Sequence, residues 1–116
     1  MIPHGVEIFV ARHPVNMRLS FDRLAGLAEA VMGRPARSRA LFVFFGKRRD
    51  ALKVLFYDGS GLCIFYKRLD RGRFQIPDIG DEAECLEIAE HELQELLDGI
   101  ALEPRPSKRA KPRVVH

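Results

Sequence analysis

Four short apolar runs and two stretches of helical periodicity divide the chain. Glu7-Ile8-Phe9-Val10-Ala11 is a β-prone run that Pro14 closes off. After Ser20, an N-cap type, Phe21, Leu24, Leu27, Ala28 and Val31 recur at steps of three and four. That spacing predicts an amphipathic helix over 21–32, stopped by Gly33 and Pro35. Ala40 to Phe45 is continuously apolar and rich in aromatic residues, as a buried strand is. Leu52–Tyr57 and Leu62–Tyr66 are two further runs. Asp58-Gly59-Ser60-Gly61 between them reads as a hairpin loop, and Gly46-Lys47-Arg48-Arg49-Asp50 as a compact turn. A short fourth strand of this series is expected over Arg73–Ile76, after a turn at Asp70-Arg71-Gly72. Cys85–Ile88 suits either an edge strand or the start of a helix. Ala89–Asp98 is helical, with Leu93, Leu96 and Leu97 on one face and Gly99 as its stop.

These elements predict an α+β fold: an antiparallel β-meander of four to six strands, with both helices on one face. Leu24, Leu27, Val31, Leu93, Leu96 and Leu97 would supply that cover. A chain of 116 residues with 47% hydrophobic content fits one domain, placed at 1–102. From 103 to 116 prolines and basic residues replace core formers, so this part reads as a flexible tail.

Charge changes the picture, because the net +3 conceals strong segregation. Residues 34–73 hold eleven basic groups against Asp50, Asp58 and Asp70, a local +8. Residues 78–98 hold nine acidic groups and no lysine or arginine. The tail is +4, from Arg105, Lys108, Arg109, Lys111 and Arg113 against Glu103. In a meander, alternate turns share one end of the sheet. Lys47, Arg48 and Arg49 should therefore meet Lys67, Arg68, Arg71 and Arg73, with Lys53 on the strand between. Such a cluster suits DNA phosphates. A solvated surface, or pairing with the acidic segment, is the rival account of the same charges.

Catalytic chemistry finds no foothold. His4, His13, His91 and His116 are scattered, with no pair at metal-binding spacing. Cys63 and Cys85 form no metal or redox motif and read as ordinary reduced thiols. Ser60 belongs to its turn, and Tyr57 and Tyr66 end apolar strands. The three aspartates sit in turns where Asp is expected for backbone reasons, which leaves a metal-dependent nuclease little support. No cofactor is implied. No apolar run approaches the roughly 18 residues that a membrane span needs, and Met1–Ala11 lacks a signal-peptide pattern, so a cytoplasmic protein is expected.

One stretch is distinctive. The Phe-rich run Leu41–Phe45, the basic turn Lys47–Asp50, Lys53-Val54-Leu55, Tyr57-Asp58-Gly59, Tyr66-Lys67-Arg68-Leu69 and Gly72-Arg73-Phe74 follow one another up to Pro77. This succession resembles the accessory proteins encoded by the second open reading frame of IS-66-type bacterial insertion sequences, often labelled TnpB. Those are distinct from the longer RNA-guided nucleases that share the label. Met17-Arg18, Phe21-Asp22 with Leu24, and Glu92-Leu93 through Leu96–Ile100 extend the resemblance over about residues 5–102. Leu19-Ser20 replaces the family's usual Lys-Gly, and Arg34-Pro35-Ala36-Arg37 its Asp-Pro-Phe-type segment. The resemblance implies a bacterial, nucleoid-associated helper of transposition, without catalysis, whose partners are the co-encoded transposase and duplex DNA. An adaptor that docks on the transposase without significant DNA binding is the alternative it leaves. No membrane partner is implied, and homo-oligomerisation stays open.

Overall fold

The computed structural model describes residues 5–76, 78, 80 and 82–99. Their elements are β1 (Ile8–Ala11), α1 (Phe21–Met32), β2 (Leu41–Phe45), β3 (Ala51–Tyr57), β4 (Leu62–Arg68), β5 (Cys85–Ile88) and α2 (Glu90–Leu97). The strands form a single sheet in the order β4-β3-β2-β1-β5. The fold is α+β, but the sheet is mixed rather than antiparallel throughout. β1 and β2 are parallel, with Ile8 beside Leu41 and Val10 beside Val43, and every other neighbouring pair is antiparallel. The reason lies in the connection. β1 and β2 are joined through α1, and a helical crossover returns the chain to the same end of the sheet, whereas a tight turn reverses it. Cys85–Ile88 takes the strand form and pairs with β1 as an edge. Arg73–Ile76 is not a strand; it packs through the buried ring of Phe74.

The helices cover opposite faces of the sheet, correcting the expectation that both lie on one. Ile8, Val10, Leu41, Val43, Phe45, Leu52 and Val54 share a cluster with Leu93, Leu96 and Leu97 of α2. Phe9, Ala11, Phe42, Phe44 and Leu55 share the other with Leu24, Ala28 and Met32 of α1. The cause is legible in the strands themselves. β1 and β2 are apolar at every position and buried at every position. Side chains alternate between faces, so such strands require cover on both.

The helix ends follow from local chemistry. Gly33 closes α1 in the left-handed conformation, φ 69°. The Ser20 side chain makes no capping bond, though its carbonyl accepts the Leu24 N–H at 3.0 Å. At α2, the Glu92 carboxylate accepts the Ala89 N–H at 2.7 Å, and Glu90 and Glu92 set negative charge on the helix N-terminus.

Candidate nucleic-acid interface

The topology brings five strand termini to one end of the sheet: the C-termini of β1, β2 and β4 and the N-termini of β3 and β5. The β2–β3 turn dominates this end. Gly46 N–H donates to Ala51 O at 3.1 Å, and Arg49 N–H donates to Gly46 O at 2.9 Å. Gly46 is tightly packed, since a methyl added there would lie 2.8 Å from Met17 Cγ. Arg49 adopts φ 63°, the left-handed conformation that non-glycine residues avoid.

The segment after β4 is stitched to this turn. Leu69 N–H donates to Asp50 O at 2.8 Å, and Phe74 N–H donates to Arg49 O at 2.7 Å. The Phe74 ring lies 6.0 Å from that of Phe45, tilted by 57°. Lys47, Arg48, Asp50, Gly72 and Arg73 consequently line one shallow depression of about 490 Å³. Arg49 and Arg71 are its chain neighbours and are exposed, as is Arg68 at the end of β4. Among the described residues, Lys47, Arg48, Arg49, Arg71 and Arg73 form no ion pair.

Two lysines of the expected set are engaged elsewhere. Lys53 is only 8% exposed; its ammonium donates to Leu19 O at 2.8 Å and sits 4.8 Å over the Tyr66 ring. Lys67 donates to Leu97 O at 2.6 Å, supplying the cation that the last turn of α2 lacks in its own sequence. Arg105, Lys108, Arg109, Lys111 and Arg113 lie outside the described residues. Arg34 is at the far end, paired with Glu7 at 3.1 Å and 5.2 Å over Phe9. Arg37 and Arg39 also sit there, lining a cleft of about 640 Å³ with Val6 and Phe56.

Sequence reasoning missed Arg18. The segment between β1 and α1 crosses the basic end: Val15 N–H donates to Phe45 O at 2.8 Å and Met17 lies on Gly46. Arg18 is exposed there, its N–H held by the Asn16 carboxamide at 2.9 Å. Reading strand-helix-strand as a parallel crossover would have placed it. Nearby, Glu84 approaches His13 at 3.7 Å and its carbonyl accepts the Arg12 N–H, so acidic β5 borders this end.

The carboxylates do not converge. Asp50 and Asp70 lie at the basic end, where Leu69 N–H donates to Asp50 O, whereas Asp58 lies a full strand away in the β3–β4 turn. Asp58 Oδ1 accepts the N–H groups of Ser60 and Gly61, both at 2.9 Å, and the Ser60 hydroxyl at 3.0 Å. Those hydrogen bonds, chiefly the two from backbone, lower its pKa from 3.8 to about 2. Tyr57 donates to Gly59 O at 3.0 Å, a turn contact. Cys63 and Cys85 lie on opposite edge strands, and loss of hydration pushes both thiols up. No cluster of three His, Cys, Asp or Glu among the described residues is arranged to hold a metal ion. None of the described helices is long and apolar enough to cross a membrane.

Comparison with known proteins agrees with the motif reading. The family described as "IS66 Orf2 like protein" matches residues 6–107. Two relatives come from Sinorhizobium fredii. The uncharacterized protein y4hO is 39% identical over 102 residues, covering 86% of this chain and 87% of its own. The uncharacterized protein y4jC is 32% identical over 108 residues, covering 90% and 91%. No solved structure matches.

Proposed function

The chain belongs to the IS66 Orf2-like family of transposition accessory proteins, and from that membership we propose that it assists transposition by gripping duplex DNA through the basic end of its sheet, without catalysing a reaction. The observation that carries this reading is the convergence of Lys47, Arg48 and Arg73 on one depression, with exposed Arg49 and Arg71 beside them. Cations gathered on hydrogen-bonded turns keep their spacing, and phosphate contacts from them supply affinity that is independent of base sequence. Arg18 and Arg68 widen the surface. The tail cations Arg105, Lys108, Arg109, Lys111 and Arg113 join it in this reading as an added arm. Arg49 strengthens the case. It holds a left-handed conformation that glycine would adopt at no steric cost, so a cationic side chain is placed here at the expense of local strain.

A second reading has its own support. Glu82, Glu84, Glu87 and Asp98 are exposed on and around β5 and α2, a surface that repels DNA and fits a cationic face of the co-encoded transposase. In that account the protein is an adaptor, and its basic end serves protein contact.

Fluorescence anisotropy separates the two. A labelled duplex carrying the terminal repeat of the element, and a scrambled duplex, are titrated across a salt series. The partner variant changes Lys47, Arg48, Arg49, Arg71 and Arg73 to Ala. The DNA reading expects binding to both duplexes that weakens with salt and is lost in the folded variant. Tighter binding of the terminal repeat would add recognition of element ends. No binding at low salt would overturn the DNA reading, and co-elution with the transposase would then support the adaptor.

A further inference from the structure

Among the described residues β4 ends the sheet, and no strand lies along its outer edge. The bonds from Asp58 N–H to Gly61 O and from Leu69 N–H to Asp50 O set the phase of the β3–β4 ladder. Cys63, Phe65 and Lys67 aim their backbone groups at β3, so Leu62, Ile64, Tyr66 and Arg68 aim theirs outward. Among the described residues, no segment pairs with those outward groups. Natural sheets blunt such edges with proline, bulges, inward charge or a covering loop. β4 has no proline, and its register with β3 runs without a bulge over seven consecutive pairs. Its charges are confined to Lys67 and Arg68 at one end. Tyr66 is 53% exposed, and Leu62, Cys63, Ile64 and Phe65 are only partly covered.

The sequence of β4 is complementary to itself. In an antiparallel pair centred on Phe65, Leu62 faces Arg68, Cys63 faces Lys67, Ile64 faces Tyr66, and Phe65 meets its own copy. Every outward-facing residue falls opposite another outward-facing residue, so the ladder is complete. Moving the centre to Ile64 or Tyr66 strands one end, and centring on Lys67 sets two ammonium groups against each other. With the centre on Phe65, like charges across the seam stand roughly 13 Å apart along the strand, by the ordinary rise per residue. That exceeds the screening length of about 10 Å at moderate salt. The exposed Tyr66 ring gains cover from the partner's Ile64, and the two Phe65 rings occupy the closely spaced, non-hydrogen-bonded position.

We propose that β4 is the seam of a symmetric dimer in which a second copy of this chain extends the sheet to ten strands. A two-fold axis through Phe65 turns the two basic ends in opposite directions. Resting on the DNA reading above, such a dimer holds one duplex at each end.

Sedimentation velocity over a wide concentration range, without DNA, tests the seam independently of that reading. Amide hydrogen exchange on the same samples reports which groups become covered. The wild type is expected to dimerise, with the Leu62, Ile64, Tyr66 and Arg68 amides gaining protection as concentration rises. The Tyr66→Pro variant removes an N–H that β3 does not use; it is expected to keep its fold by circular dichroism and to weaken dimerisation at least about tenfold, or about 1.4 kcal/mol. A chain that stays monomeric, or a dimer in which those four amides remain unprotected, overturns the proposal. Protection that appears only when transposase is added assigns the edge to that partner and equally overturns it.

Discussion

At Arg49 the demands of the turn and of the proposed DNA contact oppose each other. Its left-handed backbone closes the β2–β3 turn, its carbonyl holds Phe74, and its side chain is exposed among other cations. Arg49→Gly should therefore stabilise the protein by about 1 kcal/mol in urea unfolding, the usual relief for a non-glycine residue leaving this region. The same variant should bind DNA more weakly, with a salt slope reduced by about one phosphate contact. A variant that is both less stable and unchanged in binding would refute this account. Asp58 shows the reverse case, a carboxylate used wholly by its own turn. Because its folded pKa lies below the usual 3.8, at about 2, its contribution to the β3–β4 turn is complete above the ordinary carboxylate range. That contribution is lost as pH falls through about 2. An NMR titration of the Asp58 carboxyl should show a midpoint near 2, and Asp58→Asn should abolish that pH dependence. A midpoint in the ordinary carboxylate range would contradict the hydrogen bonds from Ser60 and Gly61 to this carboxylate.

Among the elements, the segment after β4 matters more than its lack of regular structure suggests. It carries Arg71 and Arg73 and is fixed by the Phe74 ring, which is buried against Phe45. Phe74→Ala should cost about 3–5 kcal/mol by thermal or chemical unfolding, the range for deleting a buried ring. If the segment positions the basic cluster, a Phe74→Leu variant that stays folded should lose DNA affinity although no charge has changed. Unaltered affinity would mean that the cluster does not depend on this anchor. These elements were unequally legible in the sequence. α1 was readable to its end residues, because its apolar spacing, Gly33 and Pro35 all point the same way. β1 to β4 were readable to within a residue or two from their apolar runs and turn residues, and the shared end of the two basic turns followed from meander parity, whereas Arg73–Ile76 looked like a strand and is not one, and Cys85–Ile88 fitted strand or helix equally. The uses of Lys53 and Lys67 were not readable. A lysine on a strand looks like a surface charge until the third dimension supplies Leu19 O, the Tyr66 ring or the end of α2.

At the scale of the whole molecule, three errors of sequence reading share one origin. Expecting an antiparallel meander left no place for β1 where it lies, inside the sheet between β2 and β5. From that expectation followed the absence of a parallel pair, the single covered face and the omission of Arg18. The cue was present: β1 and β2 are apolar at every position, and two-sided burial needs a helix on each side. The same placement separates charge in space. The basic turns crown one end, and the acidic β5–α2 edge runs along one side, which orients the molecule toward any anionic surface. It also has a consequence for biosynthesis. β1 cannot complete its pairing until β5 has been made, since their partnered residues lie between 74 and 80 positions apart. A nascent chain or a truncated product that stops before Cys85 leaves an apolar strand open along one side, the kind of surface that chaperones bind and aggregates grow from. Closure of β1 thus waits on the synthesis of the four residues Cys85–Ile88.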